Sequence, residues 1–100
     1  MNNRMENQIE FGTYIHDLRK SKKYSLKIVA DKLGIDISLL SKIENGERHV
    51  QGYMLKGISE LFNLDYRLLQ IKYISKKLRD EYSAEPYFKE AMVHCMSNLT

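Results

Sequence analysis

The chain has 100 residues, of which 16 are basic and 13 acidic, so its net charge is +3. This length predicts one domain, or a small domain with an appendage. Its only cysteine, Cys95, excludes an intrachain disulfide and favours a reducing compartment. No apolar run approaches the roughly 20 residues of a membrane span, and the N-terminus lacks the apolar core of a signal peptide. We therefore expect a cytoplasmic protein with no membrane contact.

The chain begins with polar, unpatterned residues at 1–8, which we expect to form a flexible tail. A first helix is predicted from Phe11 to Lys22, with its apolar stripe completed by Ile15 and Leu18. From residue 19 to 48, eight basic residues stand against four acidic ones. The positive charge is thus concentrated in one stretch, as a phosphate-binding surface requires.

The centre of that stretch, SLKIVADKLGIDISLLSKIEN at residues 25–45, predicts two short helices joined by a tight turn. Apolar residues recur at helical spacing in both halves. Gly34 can adopt the positive φ that ends one helix, and Asp36 is a good N-cap for the next. We predict a second helix from Leu26 to Leu33, with Ser25 as its N-cap, and a third from Ile37 to Asn45.

Two further helices are predicted after this unit, which makes the fold class all-α. The fourth helix spans about Tyr53 to Asn63, and Gly57 within it indicates a close approach of another helix. The fifth begins after its N-cap, Asp65, and continues to about Tyr82.

A chain break around Pro86 then leads into a last helix, with the proline expected in its first turn. The fifth and last helices carry more apolar surface than a five-helix domain needs. They could fold back to complete the core, or form a dimer interface, which we favour; Cys95 is then expected to be a buried thiol rather than an intersubunit disulfide. The expected interface residues are Ile71, Ile74, Leu78, Phe88, Met92, Cys95 and Leu99.

Two segments resemble a known family. SLLSKIENGER is similar to the recognition helix and exit loop of the lambda-repressor-like (Cro/C1, XRE-type) helix-turn-helix regulators, and IHDLRKSKKYS to their first helix. The resemblance covers about residues 11–69. It implies a five-helix DNA-binding domain at 9–69. The apolar helical pattern continues past the end of the resemblance, and from it we predict a C-terminal helical dimerisation extension at 70–100.

The resemblance also implies roles for individual residues, because the third helix of this family lies in the major groove of double-stranded DNA. Lys42 is the best candidate to contact guanine. The expected base contacts are Ile37, Ser38, Ser41 and Lys42, and the expected phosphate contacts are Lys22, Lys23, Ser25, Lys27, Asn45, Arg48, His49 and Gln51. An ion pair between Arg19 and Glu44 is implied as well.

Two positions depart from the family pattern. Leu26 stands where Gln often contacts a phosphate, so that contact is missing or passes to Ser25 or Lys27. Lys23 stands where many members have Gly or Asn, so the turn is expected to be strained.

These observations predict a sequence-specific, double-stranded DNA-binding transcriptional regulator that acts as a homodimer on a pseudo-palindromic operator, either as a repressor or through contact with RNA polymerase. The alternatives are an antitoxin that also binds a toxin, a restriction–modification controller, and a protein-interaction module without DNA binding. An enzyme is disfavoured, because no Gly-rich phosphate loop or paired carboxylate site is visible. The histidines and the cysteine share no ligand spacing, so neither metal nor cofactor is expected.

Overall fold

The computed structural model describes residues 11–99, and these residues form six α-helices and no strand. The predicted tail at 1–8 lies outside them. The helices are α1 (Phe11–Ser21), α2 (Leu26–Leu33), α3 (Ile37–Glu44), α4 (Leu55–Phe62), α5 (Tyr66–Tyr82) and α6 (Phe88–Ser97), with a 3-10 helix (Gly52–Met54) just before α4. The predicted all-α class is confirmed. None of the described helices combines the length and apolarity that crossing a membrane requires.

Residues with short polar side chains cap the N-termini of three helices. Ser25, Asp36 and Asp65 have extended backbones, and each side chain accepts a hydrogen bond from the backbone N–H three residues later, at 2.7–3.2 Å. These bonds satisfy donors that the first helical turn leaves without an intrahelical partner. All three N-caps predicted from the sequence are confirmed.

Helices α1 to α5 enclose one apolar core. α3 packs against α1 and α2, and α4 packs against α2 and α5. Val50 in the loop and Met54 in the 3-10 helix are also buried, although helical spacing did not predict either. The buried core consists of Ile15, Val29, Ala30, Leu33, Leu40, Ile43, Val50, Met54, Leu55, Ile58, Phe62 and Leu69.

Two glycines allow helices to approach each other closely. A Cβ atom on Gly12 would lie 1.8 Å from the carbonyl oxygen of Ile43, so the backbones of α1 and α3 are in direct contact. A Cβ on Gly57 would lie 2.9 Å from Leu33 Cδ2, which confirms the predicted close approach in α4. α3 is therefore fixed against α1 by its main chain as well as by side chains.

The fifth helix contacts the core with a face other than the one that carries Ile71, Ile74 and Leu78. Leu69 is buried, and the Tyr73 ring packs edge to face on Phe11, with centroids 5.8 Å apart and planes at 77°. Ile71 and Ile74 are each 49% exposed. Helix α5 thus contacts the core through Leu69 and Tyr73, and it runs without interruption across the predicted domain boundary at residues 69 and 70.

The last helix contributes no buried residue. It does not pack extensively on α5, and it does not complete the core, so the first of the two arrangements considered for these helices is not formed in the single chain. Cys95, for which we expect burial in a dimer interface, is exposed in the single chain. Pro86 lies in the turn before α6 rather than in its first helical turn.

Candidate nucleic-acid interface

The turn between α2 and α3 has the geometry that the sequence predicts. Gly34 has φ +72°, and its N–H donates to Asp31 O at 3.2 Å. The N–H of Ile35 donates to Ala30 O at 3.0 Å, which closes the turn. Ala30 is completely buried, and its helix, α2, packs against both α3 and α4. A larger side chain at this position would have to displace one of these helices.

Helix α3 has one face in the core and one in solvent. Leu40 and Ile43 are buried, whereas Ile37 is 45% exposed. Ile37 is therefore accessible from solvent at the start of the helix, although about half of its surface is covered. All four predicted base-contacting residues are exposed, namely Ile37, Ser38, Ser41 and Lys42.

The loop after α3 is held by its backbone. The N–H groups of Glu47 and Arg48 both donate to Lys42 O, at 2.8 and 3.2 Å, and Gly46 has φ +87°. Val50 anchors the loop in the core. The loop therefore has a defined path, while its side chains Arg48, His49 and Gln51 are exposed.

The remaining predicted phosphate contacts are exposed too. The Ser25 hydroxyl oxygen accepts from Ile28 N, which leaves its hydrogen available to a phosphate. The Asn45 side-chain oxygen accepts from Glu47 N at 3.2 Å, which leaves its NH₂ group free to donate in the same way. The other exposed members of this set are Lys22, Lys23 and Lys27, of which Lys27 pairs with Asp31 at 2.9 Å.

Lys23 has φ +61°, the left-handed conformation that a side chain rarely adopts. Its N–H donates to Lys20 O, and the next N–H, that of Tyr24, donates to Arg19 O at 3.0 Å. These bonds end α1 in the way that usually requires glycine. The expected strain at Lys23 is thus present in the backbone.

Two shallow depressions border the recognition helix. One brings Ser41 of α3 and Asn45, its C-cap, together with Leu26 at the start of α2. The other brings Arg48 and His49 together with the first turn of α1 and the C-terminal half of α5. The remaining predicted contacts line neither depression: Lys22, Lys23, Ser25, Lys27, Ile37, Ser38, Lys42 and Gln51.

Arg19 and Glu44 form the ion pair that the resemblance implies. Arg19 Nε donates to Glu44 Oε2 at 2.8 Å and NH2 donates to Oε1 at 3.0 Å, while NH1 donates to Tyr24 O at 3.0 Å. The side chains are only 11% and 6% exposed. A bidentate pair of this kind fixes both distance and orientation between two elements. Here it joins α1, the following turn and the end of α3.

Glu44 has a second partner that the sequence reading did not predict. His16 Nδ1 lies 2.8 Å from Glu44 Oε1. Since an ionised carboxylate can only accept hydrogen bonds, Nδ1 is the donor. His16 precedes Arg19 by three residues on the same helix, so both side chains are on one face. That spacing was the available signal for this contact.

The protonation equilibria follow from this geometry. Burial raises the pKa of the Glu44 carboxyl, but the hydrogen bonds from Arg19 and His16 and the charge of Arg19 outweigh burial, so the net pKa is lowered. The hydrogen bond to Glu44 raises the pKa of Arg19 against the opposing effect of burial. The pair is ionised at neutral pH.

Tyr53 is an exposed residue to which the sequence analysis assigned no role. It follows the exit loop of α3 and is 68% exposed, although it was counted only as the start of the fourth helix. Its hydroxyl can donate to a phosphate oxygen. Within residues 11–99, no cluster of His, Cys, Asp and Glu side chains is arranged to hold a metal ion.

The predicted dimer residues on α5 are exposed in the single chain, with Leu78 39% exposed alongside Ile71 and Ile74. On α6, Met92 is 41% exposed and Phe88 is half-buried, and Leu99, just after the helix, is 67% exposed. Within the described residues, α5 and α6 do not pack extensively on each other.

Comparison with known protein families agrees with this geometry. No curated protein and no solved structure matches the chain significantly. A family model described as helix-turn-helix matches residues 15–69, just over half of the chain, and this range begins within α1 and ends in α5. The chain belongs to the lambda-repressor-like, XRE-type helix-turn-helix family, a family of DNA-binding regulators.

Proposed function

We propose that this protein is a sequence-specific regulator of transcription that binds double-stranded DNA through α3. The observation that carries the proposal is the solvent-exposed face of α3 between two fixed ends. Asp36 caps the first end, and the Arg19–Glu44 pair holds the other. A helix fixed in this way presents its side chains to the major groove at a defined angle.

Affinity would come from contacts to phosphates. Lys22, Lys23 and Arg48 carry full positive charges, and the hydroxyl of Ser25 and the amide of Asn45 retain free donors. The N–H groups at the start of α2 add a partial positive charge. Each neutralised phosphate releases counterions and adds about −0.9 to the slope of log K against log salt.

Specificity would come from contacts between side chains of α3 and the edges of the bases. Lys42 suits guanine O6 and N7, Ser38 can bond to several bases, and Ile37 can contact a thymine methyl group. All three are exposed, so no rearrangement of the core is needed for them to reach the groove.

We further propose that the protein acts in the cytoplasm as a homodimer on a pseudo-palindromic operator. The support is the apolar surface that α5 and α6 leave exposed, which includes Ile71, Ile74 and Leu99. A two-fold dimer would place the recognition helices about 34 Å apart, one turn of DNA. Contact with RNA polymerase would convert such a repressor into an activator.

An antitoxin is the second candidate, because α6 presents apolar side chains and none of them is fully buried within the described residues. A bound toxin would cover this helix. A restriction–modification controller would have the architecture of the regulator itself, and gene neighbourhood separates it from the other candidates.

Selection of bound sites from a pool of random duplex DNA tests the proposal. The expected result is an enriched motif with two related half-sites and a binding constant that falls steeply with salt. Enrichment of no motif, together with weak and equal binding to all duplexes, would support an interaction module that has lost DNA recognition.

A further inference from the structure

Helix α5 has two apolar faces on opposite sides. Leu69 and Tyr73 face the core, and Tyr73 packs on Phe11. At 3.6 residues per turn, Ile71, Ile74 and Leu78 lie about 140–200° around the helix from Leu69. They are 49%, 49% and 39% exposed.

A helix that is apolar on two opposite sides is expected to be packed on both. The core covers the first side. Among the described residues nothing covers the second, because α6 contributes no buried residue and does not pack along α5. The outer face, defined here as Ile71, Ile74 and Leu78, is therefore the surface of α5 that we expect another chain to cover.

We infer that the outer face pairs with the same face of a second copy, with the two α5 helices antiparallel and the two-fold axis beside Ile74. This inference rests on the proposed homodimer and specifies its geometry. The outer face is nearly symmetric about Ile74, since Ile71 lies three residues before it and Leu78 four residues after. An antiparallel pair centred there stacks each residue of the outer face on the partner's outer face.

The charges that flank the outer face decide the direction of the helices. Arg67 and Glu81 lie seven residues on either side of Ile74, and on the same side of the helix as Ile74. Glu81 also forms an ion pair with Lys77 of its own helix, at 3.6 Å. In an antiparallel pair, Arg67 of each copy meets Glu81 of the other, so two opposite-charge contacts form. In a parallel two-fold pair each residue meets its own symmetry mate, which places like charges together at both positions. The antiparallel arrangement is the one that both the apolar and the charged residues favour.

Disulfide trapping tests the direction and the register. In a Cys95→Ser background, Ile74→Cys should give a covalent dimer with diamide as oxidant, since symmetry-related residues beside the axis are close. Leu78→Cys should not, because its two copies would be about 12 Å apart along the helices. Cross-linking of both variants would indicate parallel helices and overturn the inference, and so would cross-linking of Leu78→Cys alone.

A charge exchange provides an independent test. In sedimentation velocity, Arg67→Glu and Glu81→Arg should each raise the dimer dissociation constant at least tenfold, and the double variant should restore it. Asp17→Arg, an exposed charge reversal on α1, is the matched control and should leave it unchanged.

The outcomes separate this inference from the proposed function. A full-length protein that sediments as a dimer and binds DNA, but does not cross-link at residue 74, would overturn the inference alone. A protein that binds the selected operator as a monomer would overturn both the inference and the homodimer, but not the DNA binding. Cross-linking at residue 74 with no selected DNA motif would support the inference and refute the proposed regulator.

Discussion

Arg19 and Glu44 connect α1 to the end of the recognition helix by two hydrogen bonds of 2.8 and 3.0 Å, in a site where both side chains are nearly buried. Removing one member of a buried ion pair strands the other charge. We therefore expect Glu44→Gln to lower the free energy of unfolding by about 3–5 kcal/mol. Urea denaturation measures this, with Glu47→Gln, an exposed residue of the next loop, as the control. Equal midpoints for wild type and Glu44→Gln would contradict a structural role for the pair.

The lowered pKa of Glu44 makes stability depend on pH. In the unfolded chain a glutamate titrates near its ordinary value of about 4.3, above its value in the folded state, so on acidification the unfolded state takes up this proton first. The stabilisation from the pair is complete above that value and is lost as the pH falls through the folded pKa. As the pH falls below the ordinary glutamate value of about 4.3, we expect the free energy of unfolding to drop more steeply in wild type than in Glu44→Gln. Parallel pH profiles would contradict the assignment to Glu44.

Lys23 should lower the stability of the fold and strengthen binding to DNA. Its φ of +61° is strained for lysine and natural for glycine. Lys23→Gly should raise the free energy of unfolding by about 1 kcal/mol and at the same time weaken binding to every duplex, because a phosphate contact is lost. Lys22→Gly is the control, since residue 22 does not have a positive φ; it should weaken binding without stabilising the fold. A Lys23→Gly protein with unchanged affinity would remove Lys23 from the phosphate contacts.

Gly12 should tolerate no side chain. A Cβ there would lie 1.8 Å from Ile43 O, so α1 and α3 would have to separate. Gly12→Ala should cost about 1–3 kcal/mol or more, as overpacking does. At Gly52 the nearest atom would be 3.8 Å away, and Gly52→Ala should stay within about 0.5 kcal/mol of wild type. Thermal denaturation of the two variants compares them directly, and equal melting temperatures would contradict the close approach.

Substitutions of Lys42 and of Arg48 should have different effects on DNA binding. Lys42→Ala should cost about 1–3 kcal/mol on the selected operator and relax preference at one base position. Arg48→Ala should weaken binding to all DNA sequences alike. It should also reduce the magnitude of the slope of log K against log salt by about 0.9, the contribution of one phosphate contact. Binding measured on the operator and on its single-base variants distinguishes the two effects. An unchanged base preference in Lys42→Ala would mean that another part of the surface reads the sequence.

The elements of this fold could be predicted because they depend on local chemistry. Ser25, Asp36 and Asp65 are N-caps that can be read from residue type and spacing, and Gly34 marks its turn in the same way. Val50 was not predicted, because its burial depends on where a loop crosses the core and not on any helical period.

The details that failed depend on how helices cross. The bond from His16 to Glu44 exists only because α1 meets the end of α3 at this angle. Helix α5 has two apolar faces, so periodicity could not tell whether Leu69 or Ile71 faces the core. The exposure of Cys95 likewise follows from the position of α6, which the sequence pattern does not determine. Which side chains contact DNA stays a prediction from the resemblance and the exposed surface.

The separation of roles along α3 has an evolutionary consequence. Leu40 and Ile43 hold the helix in the core, and its ends are fixed by Asp36 and Glu44, whereas the side chains of exposed Ser38, Ser41 and Lys42 form no hydrogen bond or ion pair within the described residues. Substitutions at these three positions therefore leave folding almost untouched. Lineages that carry this scaffold could exchange one target sequence for another in single mutational steps, without passing through unfolded intermediates.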